Sequence, residues 1–342
     1  MNDLAAVVEK PAVDVTLAAL RAEGIYDDER RLVSYDGDRI AIPVTAPPRE
    51  TDVADVVHQV DPEPRVTDLP TLLRERDFSP SEIEDAPGSW AVIGDVVLVR
   101  FEDCERREAV GEALLELHRG ATTVLDRQGI SGAHREPSVE VVAGAGDTET
   151  VHTEHGTEYA MDLAQVMFAP GNKAERAHMG EAVDPDERVL DMFAGIGYFA
   201  LPMARAGAHV TAVERNPTAF QYLTENAKRN DVAERMELLV GDCREIVPLR
   251  VEAGERYDRV VMGYYDAHEY LEPALSAVRD GGLIHMHEAT PEALLWDRPV
   301  DRLEAAATAA GREIDIEARR RVKSHSEGVA HVVIDARVGD NG

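Results

Sequence analysis

From Arg188 onward, short β-branched runs alternate with helical patterns, and that rhythm restricts the C-terminal half to βαβ units around a parallel sheet. Strands are expected at Arg188 to Phe193, His209 to Glu214, Met236 to Gly241, Tyr257 to Met262, Gly282 to His287, Arg312 to Val322 and Val329 to Val338. Helices such as Pro217 to Arg229 and Ala267 to Val278 fill the gaps. Only Lys323 to Gly328 separates the last two strands, too short for a helical crossover, so those two pair as an antiparallel hairpin. The expectation is a seven-stranded sheet of five parallel strands finished by that hairpin.

Ligands of open α/β sheets bind at the carboxyl ends of the strands, so the residues there are the candidates for chemistry. Asp191 ends the first strand and leads into Met192-Phe193-Ala194-Gly195-Ile196-Gly197, where Gly195 and Gly197 let the backbone approach a ligand closely. Glu214, in Val213-Glu214-Arg215-Asn216-Pro217, ends the second strand where a carboxylate can accept hydrogen bonds from ribose hydroxyls. Asp242, in Gly241-Asp242-Cys243, puts another carboxylate at the same edge; it faces either an adenine amino group or, as an N-cap, the first turn of the next helix. A dinucleotide needs a third glycine to seat its pyrophosphate. Here Tyr198, Phe199 and Ala200 follow Gly197, so a nicotinamide cofactor fits poorly.

With 342 residues the chain exceeds one domain of ordinary size. The division expected is a small α+β domain over 1–60, an α+β domain over 61–155 that contacts RNA, and the ligand-binding domain over 156–342. Within the first two, a helix is expected at Val15 to Glu23, a strand at Ala91 to Phe101, a helix at Arg107 to Arg119 and a strand at Val139 to Val142. Stretches rich in proline and acid at Pro43 to Asp55 and Asp61 to Pro70 read as linkers or long loops. No apolar run approaches the ~18 residues of a membrane span. The start, Met-Asn-Asp-Leu-Ala-Ala, has no secretory pattern, and Cys104 and Cys243 are too far apart in sequence for a disulfide framework or a Cys-x-x-Cys zinc site; a cytoplasmic protein without membrane or metal is expected.

The formal charge is -30, from 66 acidic against 36 basic residues. In dilute salt such a surface repels nucleic acid. In molar salt the Debye length falls to about 3 Å, and runs such as Glu82-Ile83-Glu84-Asp85 read as halophilic adaptation, so the charge does not exclude RNA.

Three groups of residues carry a family resemblance: Asp191-Met192-Phe193-Ala194-Gly195-Ile196-Gly197, Glu214-x-Asn216-Pro217, and the tail Arg321-Val322-Lys323-Ser324-His325 with His331-Val332-Val333. Together they resemble the archaeal tRNA enzymes that modify the guanosine 3′ of the anticodon. That resemblance implies a Rossmann-like class I S-adenosylmethionine-dependent methyltransferase fold preceded by smaller α+β domains. One branch methylates guanine N1. The other, the wybutosine-synthesizing protein 2 branch, moves the 3-amino-3-carboxypropyl group of S-adenosyl-L-methionine onto the 4-demethylwyosine base of tRNA-Phe. The methyl branch typically has Gly-Pro-Phe, Asn-Leu-Pro and Phe-Ser-Pro-Arg-Leu. This chain has Gly197-Tyr198-Phe199, Met262-Gly263-Tyr264 and Met167-Phe168-Ala169-Pro170-Gly171-Asn172, and these, with Ala267-His268-Glu269 and Ile284-His285-Met286-His287, resemble the aminocarboxypropyl branch. The resemblance is strong over 155–338 and looser before it.

By that resemblance Arg176 grips the methionine part of the donor, Glu214 its ribose, and Asp242 with Cys243 its adenine. Ala169 stands where the family usually has a serine that touches the donor, so a side-chain hydrogen bond is lost there. The plainer reading of Arg176 is a surface salt bridge with Glu175. For a base that removes the acceptor's ring proton, the candidates are His268, His285, His287 and Glu288. His285 and His287 share one face of a strand, fit for an acceptor-pocket wall or a metal, though no further ligands for a metal are evident. Arg319-Arg320-Arg321-Val322-Lys323 is either a phosphate contact or a solvated edge strand. Three functions follow: aminocarboxypropyl transfer to the tRNA-Phe anticodon stem-loop, guanine-N1 methylation at the same position, and a catalytically silent RNA-binding protein.

Overall fold

The structure is a computed structural model in which residues 3–59, 62, 68–132 and 134–340 are described. It divides into two units, Met1–Asp85 and Ala86–Gly342. In the first, β1 (Leu4–Glu9) buries Ala5 through Val8 on both faces, the mark of a central strand. The helix α1 (Val13–Ala22) starts two residues before the expected Val15 and closes a small core through Leu20. β2 (Val33–Ser34), β3 (Arg39–Pro43) and β4 (Asp55–His58) complete an antiparallel sheet of order β2-β3-β1-β4. The expected linker Asp61 to Pro70 lies mostly outside the described residues. Its end is not a linker: the Asp68 side chain accepts the Thr71 N–H, and Pro70 sits in the first turn of α2 (Leu69–Glu75), where a missing N–H costs nothing. α3 (Pro80–Glu84) follows with a capping box between Ser79 and Glu82.

In the second unit, the single strand expected over Ala91 to Phe101 is a hairpin, β5 (Trp90–Ile93) and β6 (Val96–Val99), turned at Gly94, whose φ is +57°. α4 (Arg107–Leu117), β7 (Thr123–Ser131) and β8 (Glu136–Gly144) complete a sheet of order β5-β6-β7-β8. A second hairpin, β9 (Glu149–Glu154) with β10 (Thr157–Asp162), precedes α5 (Lys173–Glu181).

The large sheet has the expected topology. Its strands are β11 (Arg188–Asp191), β12 (His209–Glu214), β13 (Met236–Val240), β14 (Tyr257–Met262), β15 (Val278–Pro291), β16 (Arg312–Ser326) and β17 (Val329–Asp340), in the order β13-β12-β11-β14-β15-β17-β16. The first five are parallel, and β17 runs antiparallel to both β15 and β16. The helices α6 (Ala200–Arg205), α7 (Pro217–Arg229), α8 (Cys243–Glu252), α9 (Leu271–Ala277) and α10 (Asp297–Ala309) fill the connections. Along β11 the burial alternates between layers: Val189 joins the core under Leu201 and Leu223, while Leu190 joins the one under Ile284 and Leu303. β15 begins four residues before the expected Gly282, and the helix expected through Val278 is a 3-10 turn at Ala267–Tyr270 followed by α9. Lys323 and Ser324 still pair with β17, so the hairpin turn is tighter than the expected Lys323 to Gly328 loop. Among the described residues, no helix is long and apolar enough to cross a membrane.

Candidate functional site

The strand tips enclose a cleft, and the glycine turn forms one of its walls. Gly195 and Gly197 have φ of +57° and +104°; a Cβ on them would stand 2.3 Å from the Tyr198 ring and 2.6 Å from Leu201, so only glycine closes this turn. Glu214 locks it from the next strand. Its Oε2 accepts the Gly195 N–H at 2.7 Å and its Oε1 accepts the Asn216 N–H at 2.6 Å. Each oxygen keeps a lone pair for a ligand hydroxyl. Burial pushes the Glu214 carboxyl up, and the backbone N–H groups oppose that rise.

The N-cap reading of Asp242 holds. It caps α8 by accepting the Arg244 N–H at 2.9 Å, Arg244 Nη2 lies 2.7 Å from its Oδ2, and it also lines the cleft. The Arg244 hydrogen bond holds its carboxyl below the usual range. Cys243 beside it is buried, and burial pushes its thiol up to about 12, so it is a neutral contact surface and not a nucleophile. The neighbouring wall is aromatic: Phe193 stacks on Tyr264 at 5.2 Å and meets Tyr270 edge-on at 4.9 Å.

Arg176 is 2% exposed, which removes the surface-salt-bridge reading. It pairs with Glu154, not Glu175: Nε to Oε2 at 2.7 Å and Nη2 to Oε1 at 2.9 Å, while Nη1 donates to the Ala169 carbonyl at 3.0 Å. The Glu154 carboxyl is driven down to about 2 by its His152 and Arg176 partners against an opposing burial effect. Guanidinium has five N–H donors, so two remain for a ligand in the cleft that Arg176 and Ala169 line.

Of the four candidate bases, the structure brings only His287 to the cleft. His285 is consumed in a buried chain of charge. Arg259 donates to Glu187 at 2.8 Å and contacts His285 Nε2; His285 Nδ1 lies 2.7 Å from Asp335; and Arg320 bridges Asp335 to Glu175 at 2.8 Å. Glu288, fully buried, receives Arg298 and Arg302 on one oxygen, each at 2.8 Å. His268 sits in the 3-10 turn before α9 and does not line the cleft. Neither do Asp191, whose Oδ1 accepts the Phe193 N–H at 3.2 Å, and Gly197, which shape the turn from behind. The basic run lies on β16, the sheet's edge, and it is divided: Arg320 turns inward to its two carboxylates and Arg321 pairs with Glu292.

Sequence reasoning gave no role to three residues, two of which, Asn172 and His331, stand inside the segments that carry the resemblance. Asn172 lines the cleft with a buried Oδ1 that has no partner. His331, on β17, lies with its Nε2 2.9 Å from His287 Nδ1. Arg135 lies over the Tyr264 and Tyr265 rings at 5.8 and 5.4 Å. Only the diagonal placement of β15 and β17, which no spacing encodes, joins the two histidines. Acceptor oxygens for a sugar, an aromatic wall and a buried cation with free donors suit a nucleoside bearing an amino-acid tail. Among the described residues, no group of three or more histidine, cysteine or acidic side chains is arranged to hold a metal ion.

Residues 150–316 match the TRM5/TYW2 methyltransferase domain, and residues 70–148 the TYW2 N-terminal domain. The chain is 38% identical to the tRNA(Phe) (4-demethylwyosine(37)-C(7)) aminocarboxypropyltransferase of Pyrococcus horikoshii, over 74% of this chain and 90% of that one. The crystal structure of P. horikoshii TYW2 in complex with MeSAdo superposes with a TM-score of 0.68 at 33% identity, covering 80% of this chain and 100% of that chain. Trm5b of Pyrococcus abyssi, a tRNA (guanine(37)-N(1))-methyltransferase, is 30% identical over 91% of this chain and 92% of that protein. Its crystal structure superposes with a TM-score of 0.72, covering 98% of this chain and 99% of that one, at 29% identity.

Proposed function

The chain belongs to the TRM5/TYW2 family, and from that membership we propose that it transfers the 3-amino-3-carboxypropyl group of S-adenosyl-L-methionine to C7 of the 4-demethylwyosine base 3′ of the anticodon of tRNA-Phe. All three carbons on a sulfonium are electrophilic, and the product is decided by which one is held in line with the nucleophile. The observation that carries the reading is Arg176, a buried cation sharing the cleft with Glu214 and oriented by Glu154 and the Ala169 carbonyl. Its free donors grip the tail carboxylate in a charge-assisted pair. The unpartnered Asn172 Oδ1 accepts from the tail ammonium, which fixes the carbon chain from both sides. Glu214 takes the ribose, and Asp242 with Cys243 borders the adenine.

The division of labour follows the sequence: 1–60 a small N-terminal region, 61–155 RNA contact, 156–342 transfer, in the cytoplasm where tRNA is modified. His287 is the base candidate that faces the cleft; His285 and Glu288, held by their partners, are positioning residues, and His268 is left outside the reaction. Incubation with tRNA-Phe carrying the 4-demethylwyosine base and the donor tests the reading. Methylthioadenosine release and a tRNA heavier by an aminocarboxypropyl group are expected. On tRNA-Phe with an unmodified guanosine at that position, adenosylhomocysteine with a methylated guanine would transfer the chain to the methyl branch, and tight tRNA binding without product from either substrate would make it catalytically silent. Arg176→Lys, which loses the planar fork, should retain tRNA binding while turnover falls at least about tenfold, the effect of ~1.4 kcal/mol.

A further inference from the structure

We infer that His287 and His331 form a two-imidazole relay that removes the proton displaced from the acceptor base; the inference rests on the transfer reading above. Bond formation at a ring carbon bearing hydrogen leaves a proton to be disposed of. As the new carbon–carbon bond forms, the sulfur–carbon bond of the donor breaks and its electron pair leaves with the thioether. The ring carbon then gives up its hydrogen as a proton, and the C–H electron pair restores the ring.

The two histidines are built to receive that proton. Each is 1% exposed, both line the cleft, and Nδ1 of His287 lies 2.9 Å from Nε2 of His331. The outer nitrogens, His287 Nε2 and His331 Nδ1, are buried without a hydrogen-bond partner. A neutral imidazole carries one N–H. If His287 donates the bridging proton, its Nε2 is bare and His331 carries its proton on Nδ1; if His331 donates, the roles reverse. In either tautomer the pair presents one bare nitrogen and one N–H at its two ends. A proton taken at the bare end shifts the bridging proton and frees the one at the far end. Burial holds both rings far below the usual imidazole range, to about 3 for His287 and about 2 for His331, with His285 and Lys323 among the charges adding to it. Two neutral rings are therefore present at working pH, and the proton of a tetrahedral, cationic ring carbon is acidic enough for them. Tyr265 packs between His331 and the exposed His325, with centroids 4.8 and 4.5 Å apart, so the far end is close to the surface.

A pair of amide variants keeps the contact and removes the base. His287→Asn retains an atom at the Nδ1 position, and His331→Gln retains one at Nε2, but neither amide is basic. Turnover should fall about 100-fold in each, the low end of what general-base catalysis contributes. Donor binding by calorimetry and KM for tRNA should be unchanged, and deuterium at the acceptor ring carbon should slow the variants while leaving the wild type unaffected. Turnover of either folded variant within about threefold of wild type overturns the relay, as does a loss of turnover matched by lost donor binding or lacking the isotope effect. Should a variant fail to fold, nitrogen NMR of the wild-type protein decides. Two neutral rings with one bare and one protonated outer nitrogen are expected, and an imidazolium in the free enzyme overturns the inference. If the wild type itself adds no aminocarboxypropyl mass to tRNA, the transfer reading fails, which is a different result from active wild type with active variants.

Discussion

Asp191 is a carboxyl that the glycine turn needs for its shape and burial makes expensive to ionise. It is fully buried, Oδ1 accepts one backbone N–H, and Oδ2 has no partner. Burial pushes it up to about 7, the Phe193 hydrogen bond opposes this, and the charge on Glu214 adds to the rise. A folded-state value above the unfolded one, ~3.9, means the associated stability is complete below pH ~4 and is lost as the pH climbs through about 7. At ~1.4 kcal/mol per unit the loss is on the order of 4 kcal/mol. Asp191→Asn keeps the acceptor oxygen and cannot ionise. Its melting temperature is expected to fall less than that of the wild type between pH 5 and pH 8, and at pH 8 to exceed it; two parallel curves in a thermal melt series would show that Asp191 ionises without cost.

At the scale of elements, the site depends on the β15–β17–β16 edge staying in register, and Arg320 is its pin. It ties Asp335 of β17 to Glu175 of α5 while His285 of β15 holds the other side of Asp335. Removing one partner of a buried ion pair costs about 3–5 kcal/mol, because an uncompensated charge stays behind. Glu175 is 5% exposed and Asp335 7%, whereas Arg320 itself is partly exposed, which places the expected cost of Arg320→Gln at or below the lower end of that range. Arg319→Gln, on the exposed side of the same strand, should change stability by less than about 0.5 kcal/mol. Denaturant titrations of the two variants compare them directly, and equal midpoints would mean the network does not hold the edge. The contrast also marks what a sequence can carry. The seven strands were legible because β-branched runs advertise them, and Glu214 was legible because the tip of a second parallel strand is a fixed place. The partners were not: Arg320 reads as one of three arginines, and the pairing of Arg176 with Glu154, of His285 with Asp335 and of His287 with His331 is set by registers between distant segments. β9 and β10 give no sequence signal because Glu149-Thr150-Val151-His152-Thr153-Glu154 is too polar to announce a strand, and β5 with β6 read as one strand because apolar alternation runs on past Gly94.

For the whole molecule the governing quantity is the charge of -30. Arg176, Arg259, Arg298, Arg302 and Arg320 are committed to Glu154, Glu187, Glu288 and Asp335, and the acids outnumber the bases by 66 to 36, so the surface has no matching set of cations. In dilute buffer those carboxylates repel one another and oppose the compact state. Raising KCl shortens the Debye length from about 10 Å at 0.1 M to about 3 Å at 1 M, which removes most of that repulsion but screens the buried pairs far less. The melting temperature should therefore climb steeply with KCl up to about 1 M and then flatten, while an uncharged osmolyte of equal osmolality raises it by a smaller amount. Binding of tRNA has to overcome the same field. It should strengthen with the first additions of KCl, because global repulsion fades before close ion pairs with phosphate are screened, and then weaken as counterion release takes over. Monotonic weakening of tRNA binding from the lowest salt onward would mean that a local basic surface, and not the net charge, controls the encounter.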